Sequence, residues 1–329
     1  MATILHSERQ LAPAYASQAA QLWRNFRSHK TGVVSLIVLV LIVLAVIVIP
    51  VISPFDAHAA YPIDRYAPAG TVNSQTGQVH WLGTDWLGRD ELARLSVGGR
   101  ISLLVALFAT LLILALGTVI GLVAGYYGGW ADVVLMRLTD FMLALPLLPM
   151  YLFVMRSLKQ AAILRPLWLD DKTNATLTLV AVAGVFTLFS WMGLARLVRA
   201  SVLSLRSQNF VEAARALGAS NRRIIVRHLL PNCVAPIVVS ATFAAGDFLI
   251  LEAILAYFGQ GVTDRPFPSW GNLLAPVQGL VFSLTNINPF EDIRGWLFLF
   301  PTLMILVTVL CINYIGDALR SALDPYGDK

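Results

Sequence analysis

Residues Val33 to Ile49 form an almost unbroken apolar run, and this run restricts the possible folds more than any other feature. Fifteen of its 17 residues are Leu, Ile or Val. Each contributes roughly −0.3 to −0.6 kcal/mol to membrane insertion, so no single charge would keep the segment in water. A cleaved signal peptide is the alternative, with Ala57-His58-Ala59 as the cleavage site, but the run is longer than such segments usually are. We therefore expect a retained membrane anchor.

The composition and five further apolar runs indicate a protein that lies mostly in the membrane. The chain is 57% hydrophobic and 13% charged, with a mean hydropathy of +0.71. A soluble domain carries about 25% charged residues. We predict an all-α integral membrane protein with six transmembrane helices. After the first run, the spans are expected at about 101–125, 138–155, 175–195, 233–258 and 296–315.

The distribution of basic residues predicts that both termini lie in the cytoplasm, the N-in/C-in topology. Four cations precede the first span, and seven more fall in one short loop, Arg196 to Asn232. Loops rich in Lys and Arg stay on the cytoplasmic side. This rule accounts for the formal net charge of +5 without nucleic acid as a partner. Cys233 and Cys311 lie at or in apolar segments, so neither a disulfide nor a metal site is expected.

The basic loop contains the pattern of a helical hairpin. Four apolar positions define one face of a short helix: Phe210, Ala213, Ala214 and Leu217. Gly218 follows, where a helix often needs a residue with positive φ. A second short helix is expected after Ser220 and is expected to end before Pro231. From these residues alone, a membrane-surface element and a docking surface for another protein both remain open.

Three carboxylates are predicted within or close to the spans, and they are candidates for a transport path: Asp140, Asp247 and Glu252. Charged groups in the bilayer are costly and often functional. For Asp247 and Glu252 the alternative is a position near the helix ends, bonded to neighbouring helices.

Three glycines of the second span are spaced by four residues and share one helix face: Gly117, Gly121 and Gly125. Small residues at this spacing allow another helix to approach closely. We expect a packing ridge inside the bundle, with a substrate-facing groove as the alternative.

Several motifs resemble one family of membrane transport proteins. The segment Glu212 to Gly218, with His228 to Asn232 behind it, resembles the EAA loop of binding-protein-dependent ABC importers. Further motifs occur in the same order as in the C-type permease subunits of the dipeptide, oligopeptide and nickel branch. They are Leu82 to Asp90, Gly99 to Leu103, Ala124 to Gly129, Pro268 to Asn272 and Gly316 to Arg320. The resemblance covers nearly the whole chain.

This resemblance implies an ABC type I importer permease fold with a cytoplasmic coupling hairpin. In the family, two permease subunits pair, two ATP-binding subunits hold ATP and Mg, and an extracytoplasmic binding protein delivers the cargo. By analogy, the binding protein would dock at about 53–98 and 259–294. The implied ATPase-coupling residues are Glu212, Ala213, Ala214, Gly218, Arg222 and Arg223. The chain has no Gly-x4-Gly-Lys-[Ser/Thr] sequence, so we expect no catalytic residue and no cofactor in this subunit.

The expected domain organisation follows from the spans and the resemblance. A cytoplasmic segment, 1–31, precedes the anchor, 32–52, and an extracytoplasmic loop, 53–99. The permease core, 100–318, contains the coupling loop, 197–232, and a cytoplasmic tail, 319–329, follows. We expect a multi-pass protein of the bacterial inner membrane, in contact with membrane lipid.

Two other classes of protein compete with a permease. A membrane-embedded protease would need a catalytic histidine, but all five histidines lie outside the predicted spans. An ion-coupled secondary transporter would use the three carboxylates as proton or cation sites. The absence of an internal repeat argues only mildly against it.

Overall fold

The structure, a computed structural model, describes residues 18–160, 171–262, 268–275 and 295–323 as a helical bundle with one small β-ribbon. The helices before the basic loop are α1 (Gln18–Ser28), α2 (Lys30–Ile52), α3 (Glu91–Tyr127), α4 (Gly129–Ala144), α5 (Leu147–Gln160) and α6 (Asp171–Leu205). Then follow α7 (Asn209–Ala216), α8 (Asn221–Ile224), a π-turn (Ile225–Leu229), α9 (Leu230–Tyr257) and α10 (Gly295–Leu323). The strands β1 (Thr71–Val72) and β2 (Val79–His80) pair antiparallel.

Five helical segments of the described chain are long and apolar enough to cross a membrane. The α4–α5 pair gives a sixth crossing if it is counted as one broken span. The span predicted at 138–155 is not a single straight helix, because α4 and α5 meet at an angle of 89°. The break falls at Leu145, which has extended backbone angles, and Pro146 follows it. Proline excludes the residue before it from the helical conformation and removes a backbone donor.

The ends of several helices differ from the predicted ones. Helix α3 begins at Glu91 instead of near Ile101, and α6 continues to Leu205 instead of ending near Ala195. The added first turns of α3 contain charged residues, which suggested a loop. Arg94 is nevertheless only 1% exposed, because the preceding segment covers it. Much of the binding-protein surface predicted at 259–294 lies outside the described residues.

Both ends of the described chain lie at the same end of the bundle as the basic loop. Phe26 of α1 is buried against Ala318 and Ala322 near the end of α10. At the opposite end, the Arg100 guanidinium donates to the carbonyl oxygens of Val46 and Ile47, which shows that α3 runs back along α2. We call the two ends of the bundle the hairpin end and the cap end.

The glycine face of α3 packs on α6, as expected of a packing ridge. A Cβ atom at Gly121 would stand 2.6 Å from the carbonyl oxygen of Ala195, and one at Gly125 would stand 2.8 Å from Cβ of Val202. At Gly117 the nearest atoms belong to Leu194 and Trp191. A larger side chain at Gly121 or Gly125 would therefore push the two helices apart.

Residues 53–90 form a compact cap at the other end of the bundle, and buried charges hold it together. Asp85 is paired with Arg89 at 2.7 Å and with Arg94 at 3.4 Å. The His80 imidazole bonds to Asp90 at 2.8 Å, and Asp90 also accepts from the backbone N–H of Ala93 as the N-cap of α3. These ion pairs fix the cap to the first turn of α3.

Candidate functional site

The segment between α6 and α9, residues 209–229, forms a hairpin that stands at the end of two long helices. Its first arm is α7, and its second arm is α8 with the π-turn. We call this segment the hairpin. The first arm continues from α6, which packs on α3, and the second continues into α9, which packs on both α3 and α10. The hairpin is therefore joined to several helices of the bundle.

Gly218 makes the sharp turn between the two arms. Its φ is +76°, a conformation that costs other residues about 1–2 kcal/mol. The backbone N–H of Ala219 donates to the carbonyl oxygen of Ala214, and that of Gly218 donates to Arg215, both at 3.0 Å. These two bonds define a Schellman motif at the end of α7. The structure thus contains the helix-ending glycine that the sequence predicted.

The second arm begins as predicted but does not end where we expected. The Ser220 hydroxyl caps α8 by accepting from the backbone N–H of Arg223 at 3.4 Å. The prediction that this helix stops before Pro231 is wrong. The π-turn passes directly into α9, and the N–H of Leu230 donates to the carbonyl oxygen of Ile225. Pro231 lies in the first turn of α9, directly after the π-turn, where the fixed φ of proline is compatible with helical backbone.

The predicted apolar face of α7 is not the face that packs on the bundle. Val211 is fully buried, and Ala214 is 9% exposed. Of the other predicted positions, Phe210 is 41% exposed, and Leu217 is 89% exposed. Ala213 is exposed as well. Of the four predicted positions, only Ala214 packs on the bundle, so an apolar surface remains uncovered at the tip of the hairpin.

The buried face of the hairpin is held by the ends of α3 and α6. Val211, Ile224 and Leu229 are fully buried in a cluster that includes Leu122 of α3 and Val202 of α6. This cluster fixes both arms against the same pair of helices. Apolar packing is therefore the main link between the hairpin and the bundle.

Three polar contacts at this end of the bundle supplement the apolar packing. The Tyr126 hydroxyl donates to the Asn221 side-chain oxygen at 2.8 Å, which links α3 to the second arm. The Arg206 guanidinium donates to the carbonyl oxygen of Gly125 at 3.1 Å. Arg199 of α6 binds Asp132 of α4, with Nη2 and Oδ2 2.6 Å apart. The sequence alone predicted no role for these residues, since no local spacing relates positions that lie far apart in the chain.

The charged residues of the predicted coupling set lie on the outside of the hairpin. Glu212, Arg222 and Arg223 are all exposed. Within the described part of the chain, none of their side chains forms a hydrogen bond or an ion pair. Gly218 has no atom within 4 Å of the place where a Cβ would stand. The set therefore surrounds an open tip with both signs of charge.

The three candidate path carboxylates have three different surroundings. Asp140 of α4 forms an ion pair with Arg196 of α6, and both side chains are about half exposed. Asp247 of α9 is exposed. Glu252 is fully buried and accepts from the Ser102 hydroxyl at 3.0 Å. The Ser102 oxygen also accepts from the backbone N–H of Trp270, so Glu252 belongs to a network that joins α3 and α9 near the cap end.

Comparison with known proteins identifies the class of this chain. Residues 117–326 match the family described as "Binding-protein-dependent transport system inner membrane component". Residues 17–69 match the "N-terminal TM domain of oligopeptide transport permease C". The first match covers more than half of the chain and includes the hairpin. The protein is therefore a membrane-embedded transport component, and it belongs to the family of binding-protein-dependent inner membrane permeases.

Individual relatives place the chain within this family. It is 40% identical to the dipeptide transport system permease protein DppC of Alkalihalophilus pseudofirmus over 75% of this chain and 72% of that protein. It is 35% identical to the glutathione transport system permease protein GsiD of Pectobacterium atrosepticum, over 93% of this chain and 90% of that protein. It is 32% identical to the oligopeptide transport system permease protein OppC of Bacillus subtilis, over 95% of this chain and 93% of that protein. The chain is thus a multi-pass inner membrane permease subunit of an ABC importer, and it is not the ATPase.

Proposed function

We propose that this chain is one of two permease subunits of an ATP-driven importer of peptides, and that the hairpin receives the force. The observation that carries the proposal is the uncovered tip, where Leu217 is 89% exposed beside the exposed side chains of Glu212, Arg222 and Arg223. An apolar surface of this kind in water is typical of a docking site for another protein. Family membership supports an ATP-binding subunit as that protein, since a binding-protein-dependent system needs a separate source of energy.

The remaining partners follow from the family and from the relatives. A second permease subunit would complete the translocation path, and two ATP-binding subunits would hold ATP and Mg. An extracytoplasmic binding protein would deliver the cargo at the cap end. The relatives are named for dipeptides, glutathione and oligopeptides, so a short peptide is the cargo that the similarities support.

Each residue of the predicted coupling set would have its own role in docking. Leu217, Ala213 and Phe210 would fill an apolar cleft of the ATP-binding subunit. Glu212 would pair with a cation in that cleft, and Arg222 and Arg223 with anions on its rim. Ala214 would hold α7 on the bundle from the buried side, and Gly218 would fix the angle between the arms. Closure of the ATP-binding subunits on ATP would then move the hairpin and the helices bonded to it.

The exposed carboxylates are the ones we propose for the path. A charge in lipid is costly, so the exposed side chain of Asp247 on α9 should face water or the second permease. Asp140 with Arg196 would form a polar patch on α4 and α6 in the same way. Glu252 has a different role in our proposal. Its burial and its bond to Ser102 support a structural role, in which Glu252 links α9 to α3.

Cysteine labelling tests the side of the membrane and the docking of the hairpin. Leu217→Cys reports on the hairpin, and Val72→Cys, 56% exposed in wild type, is the matched control on the cap. The native Cys233 and Cys311 are buried and should give little background. In right-side-out vesicles, an impermeant maleimide should label only Val72→Cys. In permeabilised vesicles, Leu217→Cys should be labelled when the ATP-binding subunits are absent and protected when they are present.

Charge reversal completes this test. Glu212→Arg should weaken the docking, so that Leu217→Cys is labelled faster in the assembled complex and ATP hydrolysis is no longer tied to uptake. Glu212→Gln should have the smaller effect. Labelling of Leu217→Cys from the outside would refute the proposed side of the membrane. Equal labelling with and without the ATP-binding subunits would refute the docking.

Ion-coupled transport is the second candidate, and only the membrane-embedded carboxylates favour it. Uptake that survives ATP depletion but stops when the ion gradient is dissipated would establish it in place of the ATP-driven mechanism.

A further inference from the structure

Helix α1 is fixed at the hairpin end of the bundle, close to where the chain enters the membrane. A single residue, His29, separates it from α2. Phe26 is 4% exposed and packs on the last turns of α10, and the Asn25 amide donates to the carbonyl oxygen of Ala322 at 3.5 Å. These contacts hold α1 in one position on the folded protein, and they leave its other side uncovered.

The length of α2 places α1 at the level of the lipid headgroups. Helix α2 has 23 residues and is therefore about 34 Å long. The hydrocarbon core of a bilayer is about 30 Å thick. The first turn of α2, which begins at Lys30, must then lie at the boundary of that core. Helix α1 ends at Ser28, so it lies in the headgroup layer or directly against it.

The uncovered side of α1 has the chemistry of a membrane interface. Trp23 is 53% exposed and stacks on Phe26, with 5.9 Å between the ring centroids. Arg27 follows one helical turn later, and Arg24 adjoins Trp23; both are exposed. Tryptophan and arginine are the residues that favour this layer, the first at the boundary with the hydrocarbon and the second near phosphates.

The charge around α1 has one sign over a long stretch. From Arg9 to Phe55 the sequence contains no Asp or Glu, whereas Arg24, Arg27 and Lys30 all lie at this end of α2. Within the described residues, Arg24 and Arg27 form no side-chain ion pair. The charge that would complement this surface is therefore negative, and no ion pair among the described residues supplies it.

We propose that α1 binds anionic phospholipid headgroups of the leaflet at the hairpin end, through Arg24 and Arg27, with Trp23 at the edge of the hydrocarbon. The inference concerns a surface separate from the hairpin, and only the control variants of its tests rest on the proposed function, in which the tip of the hairpin lies in water. A lipid is favoured over a protein partner because the surface is continuous with a membrane span. Each arginine should favour an anionic over a neutral lipid roughly fivefold.

The first experiment measures the depth of position 23 in the bilayer. The purified chain is reconstituted in nanodiscs of phosphatidylcholine and phosphatidylglycerol, with a spin label at Trp23→Cys or, as the water-exposed reference, at Leu217→Cys. Oxygen concentrates in the bilayer, and a nickel chelate stays in water. We expect the label at 23 to collide more with oxygen, and the label at 217 more with the chelate. Equal chelate access at both positions would overturn the proposal and would favour a soluble protein partner for α1.

The second experiment measures the choice of lipid. The wild-type chain is equilibrated with equal amounts of the two lipids, and the lipids that remain bound are counted by native mass spectrometry. We expect enrichment of phosphatidylglycerol, and a loss of roughly 25-fold in that enrichment for Arg24→Gln with Arg27→Gln. Arg222→Gln with Arg223→Gln removes the same charge from the hairpin and should change the enrichment little. No enrichment in the wild type, or an equal loss in both double variants, would overturn the proposal.

Discussion

Where the cap meets α3, charged side chains are buried and paired with one another, whereas in the hairpin they are exposed and unpaired among the described residues. Asp85 lies between Arg89 and Arg94 at one end of the molecule, and Glu212 points into solvent at the other. Apolar side chains show the reverse arrangement, because the hairpin packs through Val211 and Ile224. The charges of the cap are thus satisfied within the protein by one another and by Arg94 of α3, whereas the charges of the hairpin stay available to a partner.

Two glycines with similar positive φ angles test this comparison directly. Gly70 in the cap has a φ of +85°, and Gly218 in the hairpin has a φ of +76°; neither has an atom within 4 Å of the place where a Cβ would stand. Valine at either site introduces the same left-handed strain. We expect Gly218→Val to abolish uptake while the protein still inserts in the membrane. Gly70 lies on the surface proposed for the binding protein, so Gly70→Val should leave the ATP-binding subunits bound, which co-purification measures, whatever its effect on docking of the binding protein.

Uptake and membrane insertion are both measured for these two variants in the assembled transporter. Gly218→Asn is the conservative control, because asparagine tolerates positive φ better than other residues. Normal transport by Gly218→Val would show that the angle of the hairpin is unimportant.

The buried charges of the cap should matter for stability more than any charge in the hairpin. Asp85→Ala leaves Arg89 buried without its 2.7 Å partner, and breaking a buried pair costs about 3–5 kcal/mol. We expect a lower melting temperature and faster proteolysis within residues 53–90. Glu212→Ala, at an exposed site, should change the free energy of unfolding by less than about 0.5 kcal/mol. Equal thermal stability of the two variants would contradict the comparison.

The smallest effect should come from the hydrogen bond between α3 and the hairpin. Tyr126→Phe removes the 2.8 Å bond to Asn221, which is worth about 1 kcal/mol, and retains the ring in its apolar cluster. We expect nearly normal insertion, with a fewfold fall in the ratio of peptide transported to ATP hydrolysed. Asn221→Ala should give a similar ratio, and the double variant should be no worse than either single one. Additive losses would mean that the two residues act separately.

Much of the fold could be predicted from the sequence because lipid imposes simple rules. The apolar runs located the spans, and the spacing of Gly117, Gly121 and Gly125 indicated the face on which α6 packs. The broken span was missed because its two halves are apolar on both sides of Pro146, so their composition continues across the bend. The early start of α3 was missed because its first turns contain charged residues and were assigned to the extracytoplasmic loop, 53–99. Only the folded cap explains why Arg94 is buried.

The candidate site was predicted less completely, for a related reason. Gly218 and Ser220 act through bonds to residues close by in the chain, so local patterns revealed them. The side of α7 that packs depends on α3 and α6, which are far away in the sequence. Periodicity alone therefore gave an apolar face without saying whether the protein or its partner covers it.

The π-turn at Ile225–Leu229 contains one residue more than an α-helical path of the same span would need. An extra residue in an ordinary α-helix would rotate everything beyond it by about 100°. The wider winding absorbs that rotation, so the arm before Ile225 and helix α9 keep nearly the relative phase that a plain α-helix would give them. Which side chains the tip presents therefore depends on a match between the length of the segment from Ser220 to Pro231 and the winding of its turn.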